Sequence, residues 1–188
     1  MGKLPDAPTA EAFARFGQQM LQGLAQLPFP VVCAIHGACA GGGYELALAC
    51  DVRLASDAPE TNIGLTETGI GTIPGWGGSV RLPRLIGAEA ALEHIVNARL
   101  LPAGQALADK LVDEVVPAAE LKASAKALAI ALSGKGKASR RAPAAPAKTS
   151  TRNFVSDPGR MPAVSPPSCN RRSRWSNRAP VSMRKRRC

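Results

Sequence analysis

The sequence predicts an α/β fold over residues 1–133, followed by a disordered basic tail over residues 134–188. Short apolar runs of strand length alternate with longer segments of helical spacing as far as residue 132, which is typical of α/β domains. The charge changes at the same boundary. Residues 1–133 contain nine basic and thirteen acidic residues, a balance of −4, whereas the remainder contains fifteen basic residues and one acidic residue, a balance of +14.

The first half of the fold is predicted from hydrophobic spacing and from prolines. Residues 9–24 form an amphipathic helix, because Phe13, Phe16, Met20, Leu21 and Leu24 recur at helical spacing. Two prolines in residues 27–30 end it, since the residue before a proline disfavours helix. A buried strand over 31–35, a helix over 43–50 and a short strand over 52–55 follow.

The second half begins with a segment, residues 56–68, that is predicted to be mostly loop. Residues 69–78 (GIGTIPGWGG) form a turn region, because they contain too much glycine for regular structure. The remaining predicted elements are helices over 79–86 and 88–98 separated by Gly87, a helix over 102–108 with Pro102 near its first position, a strand over 112–116 and a helix over 118–132.

The tail is rich in proline, serine and arginine and has no apolar period, so it cannot bury enough surface to offset its ordering entropy. Either it evolved as a tail, or a shifted reading frame produced it. The second explanation is favoured because the change follows a helix that looks unfinished. The charge predicts non-specific, salt-dependent binding of polyanions.

Composition and motifs exclude several classes of protein. Five cysteines without CxxC spacing predict neither a disulfide framework nor a zinc site, and favour a reducing compartment. No secretory signal or apolar run of membrane length is present, so a cytoplasmic location is predicted. The glycine clusters do not fit GxGxxG, there is no GxSxG, and His36 and His94 lack metal-ligand spacing.

The segment 31–51 (VVCAIHGACAGGGYELALACD) is the best candidate for chemistry. A strand, a turn at Gly41, Gly42 and Gly43 and a helix start place backbone N–H groups at the positive end of a helix dipole, where a developing negative charge is stabilised. Glu45 lies one turn into this helix. It is either an acid or base at that site or a residue that stabilises the helix electrostatically.

Glu67, just before the second glycine-rich turn, is a second candidate carboxylate. Two carboxylates can share and polarise one water, which is general acid–base chemistry. The alternative is a loop glutamate facing solvent, and Asp51 and Glu60 compete for the role without better context. Trp76 is predicted either to line a pocket or to cover the core.

Three segments together resemble the crotonase (enoyl-CoA hydratase/isomerase) superfamily. They are PVVCAIHGACAGGGYELALACDVRLAS, IGLTETGIGTIPGWGGSVRLPRLIG and ALADKLVDEVVP, in the family's order and spacing. They are most similar to the hydratase region of the bacterial fatty-acid oxidation complex α-subunit. The resemblance covers roughly residues 7–132.

The resemblance implies a partial spiral of ββα units, trimers or pairs of trimers, and acyl-CoA substrates. It implies syn addition of water to a 2-enoyl-CoA thioester in fatty-acid β-oxidation, with Glu67 as the acid that protonates the α-carbon and Glu45 as the carboxylate that activates water. Gly42, with Gly41 and Gly75, would bind the thioester oxygen and substrate. No metal or cofactor is implied beyond the coenzyme A of the substrate.

The chain departs from the family pattern at both ends. A preceding portion with an Ala-Gly-x-Asp motif, which supplies a second oxyanion donor, is expected and does not occur here, and the basic tail stands in place of the C-terminal helices. Trp76 stands where a small residue is usual. An inactive truncated fragment and an enoyl-CoA isomerase, which needs only one carboxylate, therefore remain the alternatives.

Overall fold

The computed structural model describes residues 6–133. Within this range the helices are α1 (Ala7–Ala25), α2 (Gly42–Ala49), α3 (Gly78–Ile86), α4 (Ala88–Asn97), α5 (Ala103–Ala108) and α6 (Leu121–Ser133). The strands are β1 (Val32–Ile35), β2 (Ala38–Ala40), β3 (Val52–Ser56), β4 (Asn62–Gly64), β5 (Leu101–Pro102) and β6 (Glu114–Val116), and a short 3₁₀ helix covers Glu67–Ile70.

The strands form two small sheets, which confirms the predicted α/β class. One sheet has the order β1-β3-β6 with parallel pairing, in which Val32 lies opposite Val52. The other has the order β2-β4-β5, with β2 and β4 parallel and β5 antiparallel. Two strands followed by a helix occur twice, as β1-β2-α2 and β3-β4-α3, and each pair contributes one strand to each sheet. This is the ββα repeat that the family resemblance implied.

Helix α2 lies at the centre of the core. Its residues Tyr44, Ala47 and Leu48 are at most 3% exposed and belong to the largest apolar cluster. That cluster also includes residues of β1, β4, α3, α4 and α5. Two smaller clusters attach α1 to the end of α2 and α6 to β3 and β6. Since α2 is surrounded in this way, any group at its N-terminus is held on a rigid support.

Helix α1 packs through a different face from the one its aromatic residues suggest. The buried positions are Gly17, Leu21 and Ala25, spaced four apart, whereas Phe13, Phe16 and Met20 are 47–64% exposed. The helix begins where the Asp6 carboxylate accepts a hydrogen bond from the Thr9 N–H at 2.8 Å. Small residues on the buried face allow a bulky side chain from elsewhere in the chain to approach the helix.

The prediction of mostly loop over residues 56–68 was wrong in part, because β4 and the 3₁₀ helix lie there, and β2 was not anticipated. These strands have three residues each and contain alanine, asparagine and glycine, which have low strand propensity. Their pairing with each other supplies the stabilisation that local sequence does not. Pro102 precedes α5, and α6 begins three residues later than expected.

The remaining predictions concern the basic tail, the cysteines, membrane spans and metal sites. The predicted disordered tail, residues 134–188, lies outside the described residues. Of the three cysteines between β1 and β3, Cys50 is buried, and Cys33 and Cys39 are half-buried. Across residues 6–133, no helix combines the length and apolar character that a membrane span requires. No three metal-ligating side chains converge within the same range.

Candidate active site

The glycine turn between β2 and α2 connects the ends of two strands to the helix. Gly41 has a φ of 54°, a backbone conformation that residues with a Cβ atom rarely adopt, which explains the glycine at this position. Its N–H donates to the Gly64 carbonyl at 2.9 Å, at the end of β4. Its carbonyl accepts from the Glu45 N–H at 2.9 Å and so starts the helix. The turn is thus fixed on both sides by backbone hydrogen bonds.

Gly42 is the first residue of α2, and its N–H has no hydrogen-bond acceptor within residues 6–133. The first N–H groups of a helix have no partner inside the helix and carry its positive partial charge. Gly42 is half-buried, so this donor is shielded only in part from solvent. A carbonyl oxygen that becomes negative during a reaction is the kind of group that such a donor stabilises.

Glu45 is buried, at 3% exposed, and its orientation is set by the loop that precedes α3. Its Oε1 accepts hydrogen bonds from the backbone N–H groups of Trp76 and Gly78, each at 2.8 Å. No partner for Oε2 occurs in the described part of the chain. This carboxylate is therefore enclosed and held through one oxygen, and its place in the first turn of α2 agrees with both roles that the sequence predicted.

Glu67 begins the 3₁₀ helix and turns its carboxylate toward Gly41. A methyl group placed on the Gly41 α-carbon would lie 3.2 Å from Oε1 and 3.5 Å from Cδ of Glu67. Both carboxylate oxygens are buried, and neither has a hydrogen-bond partner in residues 6–133. The interpretation of Glu67 as a solvent-facing loop residue is thus wrong.

The environment of Glu67 raises the pKa of its carboxyl group. Burial is the largest cause, because it disfavours the charged form, and the negative charge of Glu45 adds to it. The backbone N–H groups of Glu67 and Thr66, which lie near the carboxylate, partly oppose the shift. The two glutamates therefore interact electrostatically while they differ in environment: Glu45 accepts two N–H groups at 2.8 Å, whereas no group within residues 6–133 makes a well-formed hydrogen bond to the Glu67 carboxylate.

Gly75 and Gly78 lie on opposite sides of the loop that holds Glu45. Gly78 is buried, and an added methyl group there would lie 3.1 Å from Cγ of Glu45. Gly75 is exposed, and its carbonyl accepts from the Gln18 side chain of α1 at 2.8 Å. The structure thus places Gly75 at the contact with α1, and brings Gly41, Gly42, Glu45 and Glu67 together at one turn.

Trp76 contributes to the site through its backbone as well as its ring, and the sequence indicated only a role for the ring. Its backbone N–H holds Glu45, and its indole lies between α1 and the first residue of α2. A methyl group on Gly42 would lie 3.1 Å from Cζ3 of the indole, and one on Gly17 would overlap the other end of the ring system. The glycines at 17 and 42 were the available sequence signals, because the indole leaves little room for a side chain at either position.

The competing acidic and histidine residues have other partners. Asp51 accepts from the Val31 N–H at 2.8 Å. Glu60 lies 3.6 Å from His36, with both side chains more than half exposed, and His94 lies 3.4 Å from Asp109. None of these contacts involves Glu45 or Glu67, so the structure separates the two leading candidates from the weaker ones.

Comparison with known proteins agrees with the architecture of this site. A family model described as enoyl-CoA hydratase/isomerase matches residues 6–154, most of the chain. The chain belongs to the enoyl-CoA hydratase/isomerase family. The family resemblance seen in the three sequence segments is confirmed, and the specific relationship to the fatty-acid oxidation α-subunit stays a prediction.

Solved structures of this family superimpose on part of the chain. An enoyl-CoA hydratase from Bacillus anthracis is 39% identical with a TM-score of 0.64, over 68% of this chain and 48% of that one. An enoyl-CoA hydratase from Thermoplasma volcanium is 33% identical with a TM-score of 0.63, over 69% and 50% of the two chains. The chain thus spans about half the length of these family members.

Proposed function

We propose that this chain carries the catalytic centre of a 2-enoyl-CoA hydratase, in which Glu45 and Glu67 hold one water and Gly42 binds the thioester oxygen. One observation supports this most directly: two buried carboxylates of unlike environment flank the same glycine turn. Differently tuned carboxyl groups at one site suit an acid and a base. The N–H of Gly42, which has no acceptor within residues 6–133, lies at that turn as well.

The proposed reaction assigns a different proton transfer to each glutamate. Glu45, whose Oε1 is held by two N–H donors, takes a proton from water as the water oxygen bonds to C3. The π electrons move toward the thioester oxygen, and the resulting enolate is then protonated at C2 by Glu67. The raised pKa of Glu67 increases its protonated fraction, as this role requires. Both steps occur on one face, which gives syn addition.

Gly42 would stabilise the enolate oxygen through its N–H at the start of α2. Removal of one oxyanion donor from other enzymes lowers the rate by about 10²–10³. The proposed reaction uses no metal or cofactor apart from the coenzyme A within the substrate. The water and the enoyl thioester are its only reactants.

We further propose that the substrate comes from fatty-acid β-oxidation in the cytoplasm and that the protein assembles as trimers or pairs of trimers. The exposed Phe13, Phe16 and Met20 on α1 support assembly, since monomers seldom expose several large apolar side chains together. Sedimentation velocity on the full chain measures the assembly directly, and a monomer at assay concentration contradicts it.

Hydration of crotonyl-CoA, followed as loss of the absorbance of the conjugated thioester, tests the proposed function. We expect turnover by the full chain, and a loss of about 10²–10⁴ in kcat/KM in both Glu67→Gln and Glu45→Gln. Glu93→Gln is the matched control, because Glu93 is exposed on α4 and contacts neither candidate. We expect this control to retain the activity of the unchanged chain.

The result that overturns the proposal is absence of turnover in a chain that unfolds cooperatively, or turnover unaffected by Glu67→Gln. A 3-enoyl-CoA supplied in parallel distinguishes the isomerase alternative. If the 3-enoyl thioester is converted to the 2-enoyl form while crotonyl-CoA is not hydrated, the chain is an isomerase that uses one carboxylate.

A further inference from the structure

The indole of Trp76 fills the space between α1 and the N-terminus of α2. The six-membered ring faces Gly42, where an added methyl group would lie 3.1 Å from Cζ3 and 3.3 Å from Cε3. The five-membered ring occupies the place that a side chain at residue 17 would need. Phe13 supports the indole, with ring centroids 5.5 Å apart and an interplanar angle of 53°. These contacts fix the position of the ring.

The backbone of Trp76 is hydrogen-bonded to Glu45, so its side chain has a defined position relative to that carboxylate. The N–H donates to Glu45 at 2.8 Å, and the carbonyl accepts from Arg81 Nη1 at 2.9 Å. Trp76 therefore contacts Glu45 through its backbone N–H and Gly42 through its ring, the two groups that the proposed function places at C3 and at the thioester oxygen.

An open groove of about 740 Å³ lies between α1 and the segment 73–84, and Trp76 is one of its lining residues. Its other lining residues include Gln18 and Gln22 of α1 and Ile73 and Val80 of the facing segment. Trp76 therefore touches Gly42 with one part of its ring and lines the groove as well. The indole separates the glycine turn from this larger space.

We infer that Trp76 closes the acyl end of the site and restricts this chain to short-chain enoyl-CoA thioesters. This inference rests on the proposed function and adds its substrate class. An acyl chain extended beyond about four carbons meets the indole and gains no buried surface. Removal of the ring opens a path from Gly42 into the groove, where further methylene groups can be buried.

Binding of saturated acyl-CoA thioesters tests this inference separately from catalysis, because these ligands lack the double bond. The dissociation constants of butyryl-CoA and decanoyl-CoA are measured by calorimetry for the full chain and for Trp76→Ala, Trp76→Phe and Phe16→Ala. Each methylene that becomes buried raises affinity about fourfold. We expect no gain for decanoyl-CoA over butyryl-CoA in the unchanged chain, and a gain of at least about tenfold in Trp76→Ala.

The other two variants control for folding and for loss of an aromatic ring. Trp76→Phe keeps an aromatic side chain between the helices, and we expect a smaller gain in the same direction. Phe16 is 64% exposed on α1, and we expect Phe16→Ala to keep the short-chain preference. Circular dichroism establishes that each variant is folded.

The possible results distinguish a failure of the inference about Trp76 from a failure of the proposed function. If decanoyl-CoA already binds at least tenfold more tightly than butyryl-CoA in the unchanged chain, or if neither Trp76 variant changes the ratio, the inference about Trp76 is wrong and the proposed function stands. If no acyl-CoA binds the folded chain at any length, the proposed function itself fails, and the inference fails with it.

Discussion

Glu45 has a structural role and a proposed chemical role, and two substitutions separate them. Its Oε1 accepts the Trp76 and Gly78 N–H groups, and the Gly78 donor is buried. Glu45→Gln keeps an amide oxygen that accepts both hydrogen bonds and removes only the charge. Glu45→Ala removes the acceptor and leaves two N–H groups without a partner.

The expected stability changes follow from these two hydrogen bonds. A hydrogen bond to a charged group contributes about 1.5–3 kcal/mol and a neutral one about 0.5–1.5 kcal/mol, so Glu45→Gln loses about 2–3 kcal/mol over the two bonds. In Glu45→Ala the buried Gly78 N–H is left without an acceptor, which costs about 1–3 kcal/mol, and the half-buried Trp76 N–H loses a bond to a charged group worth about 1.5–3 kcal/mol. The variant thus loses about 2.5–6 kcal/mol before the lost packing is counted. With the lost packing included, we expect Glu45→Ala to be less stable than Glu45→Gln by about 1 kcal/mol or more.

Urea unfolding followed by far-ultraviolet circular dichroism measures the difference, with crotonyl-CoA hydration measured on the same preparations. We expect both variants to lose about 10²–10⁴ in kcat/KM, because both lack the carboxylate. Glu93→Ala on the exposed face of α4 is the control, with an expected change within about 0.5 kcal/mol. Equal free energies of unfolding for the two Glu45 variants would refute the assigned hydrogen-bond role.

Three further predictions concern groups near this turn and in the core. The pKa of Glu67 is raised in the folded state, so the stability that its carboxyl group contributes is present below the unfolded pKa of about 4.5 and is lost as pH rises through the folded pKa. At neutral pH, Glu67→Gln should therefore unfold at a higher urea concentration than the unchanged chain, and the difference in midpoint should close toward pH 4. A difference in midpoint that does not depend on pH would contradict this. Tyr44→Phe removes the donor to the buried Leu111 carbonyl, a 2.8 Å hydrogen bond, and should lower the free energy of unfolding by about 1–3 kcal/mol in urea titrations; an unchanged midpoint would show that this bond contributes nothing. Gly78→Ala places a methyl group 2.9–3.1 Å from three side chains, so it should destabilise the protein by about 1–3 kcal/mol and lower the rate of crotonyl-CoA hydration. In the control Gly104→Ala, the added methyl group meets nothing within 4 Å, and the change should be neutral or stabilising by up to about 1 kcal/mol. Thermal unfolding that ranks these two alanine variants the other way would contradict the packing argument.

Hydrophobic spacing predicted the longer elements well because helices and buried strands repeat apolar residues at short intervals. The predicted helix over 88–98 lies within one residue of α4, and the strand over 52–55 within one residue of β3. The three-residue strands β2 and β4 were not anticipated, since their pairing joins residues 24 positions apart. Their alanines and glycine do not favour strand locally.

The two glutamates were candidates from the sequence alone, because each lies beside a glycine-rich turn and their residue type and spacing match a known family. The α/β class and the identity of the glycine turn also follow from local pattern, which depends on near neighbours in the chain. Only the folded arrangement decided how the glutamates are held. The N–H donors of Glu45 come from residues 31 and 33 positions later, and the indole over Gly42 comes from the same distant loop. Such contacts depend on how separate segments pack in three dimensions, and no local spacing specifies them.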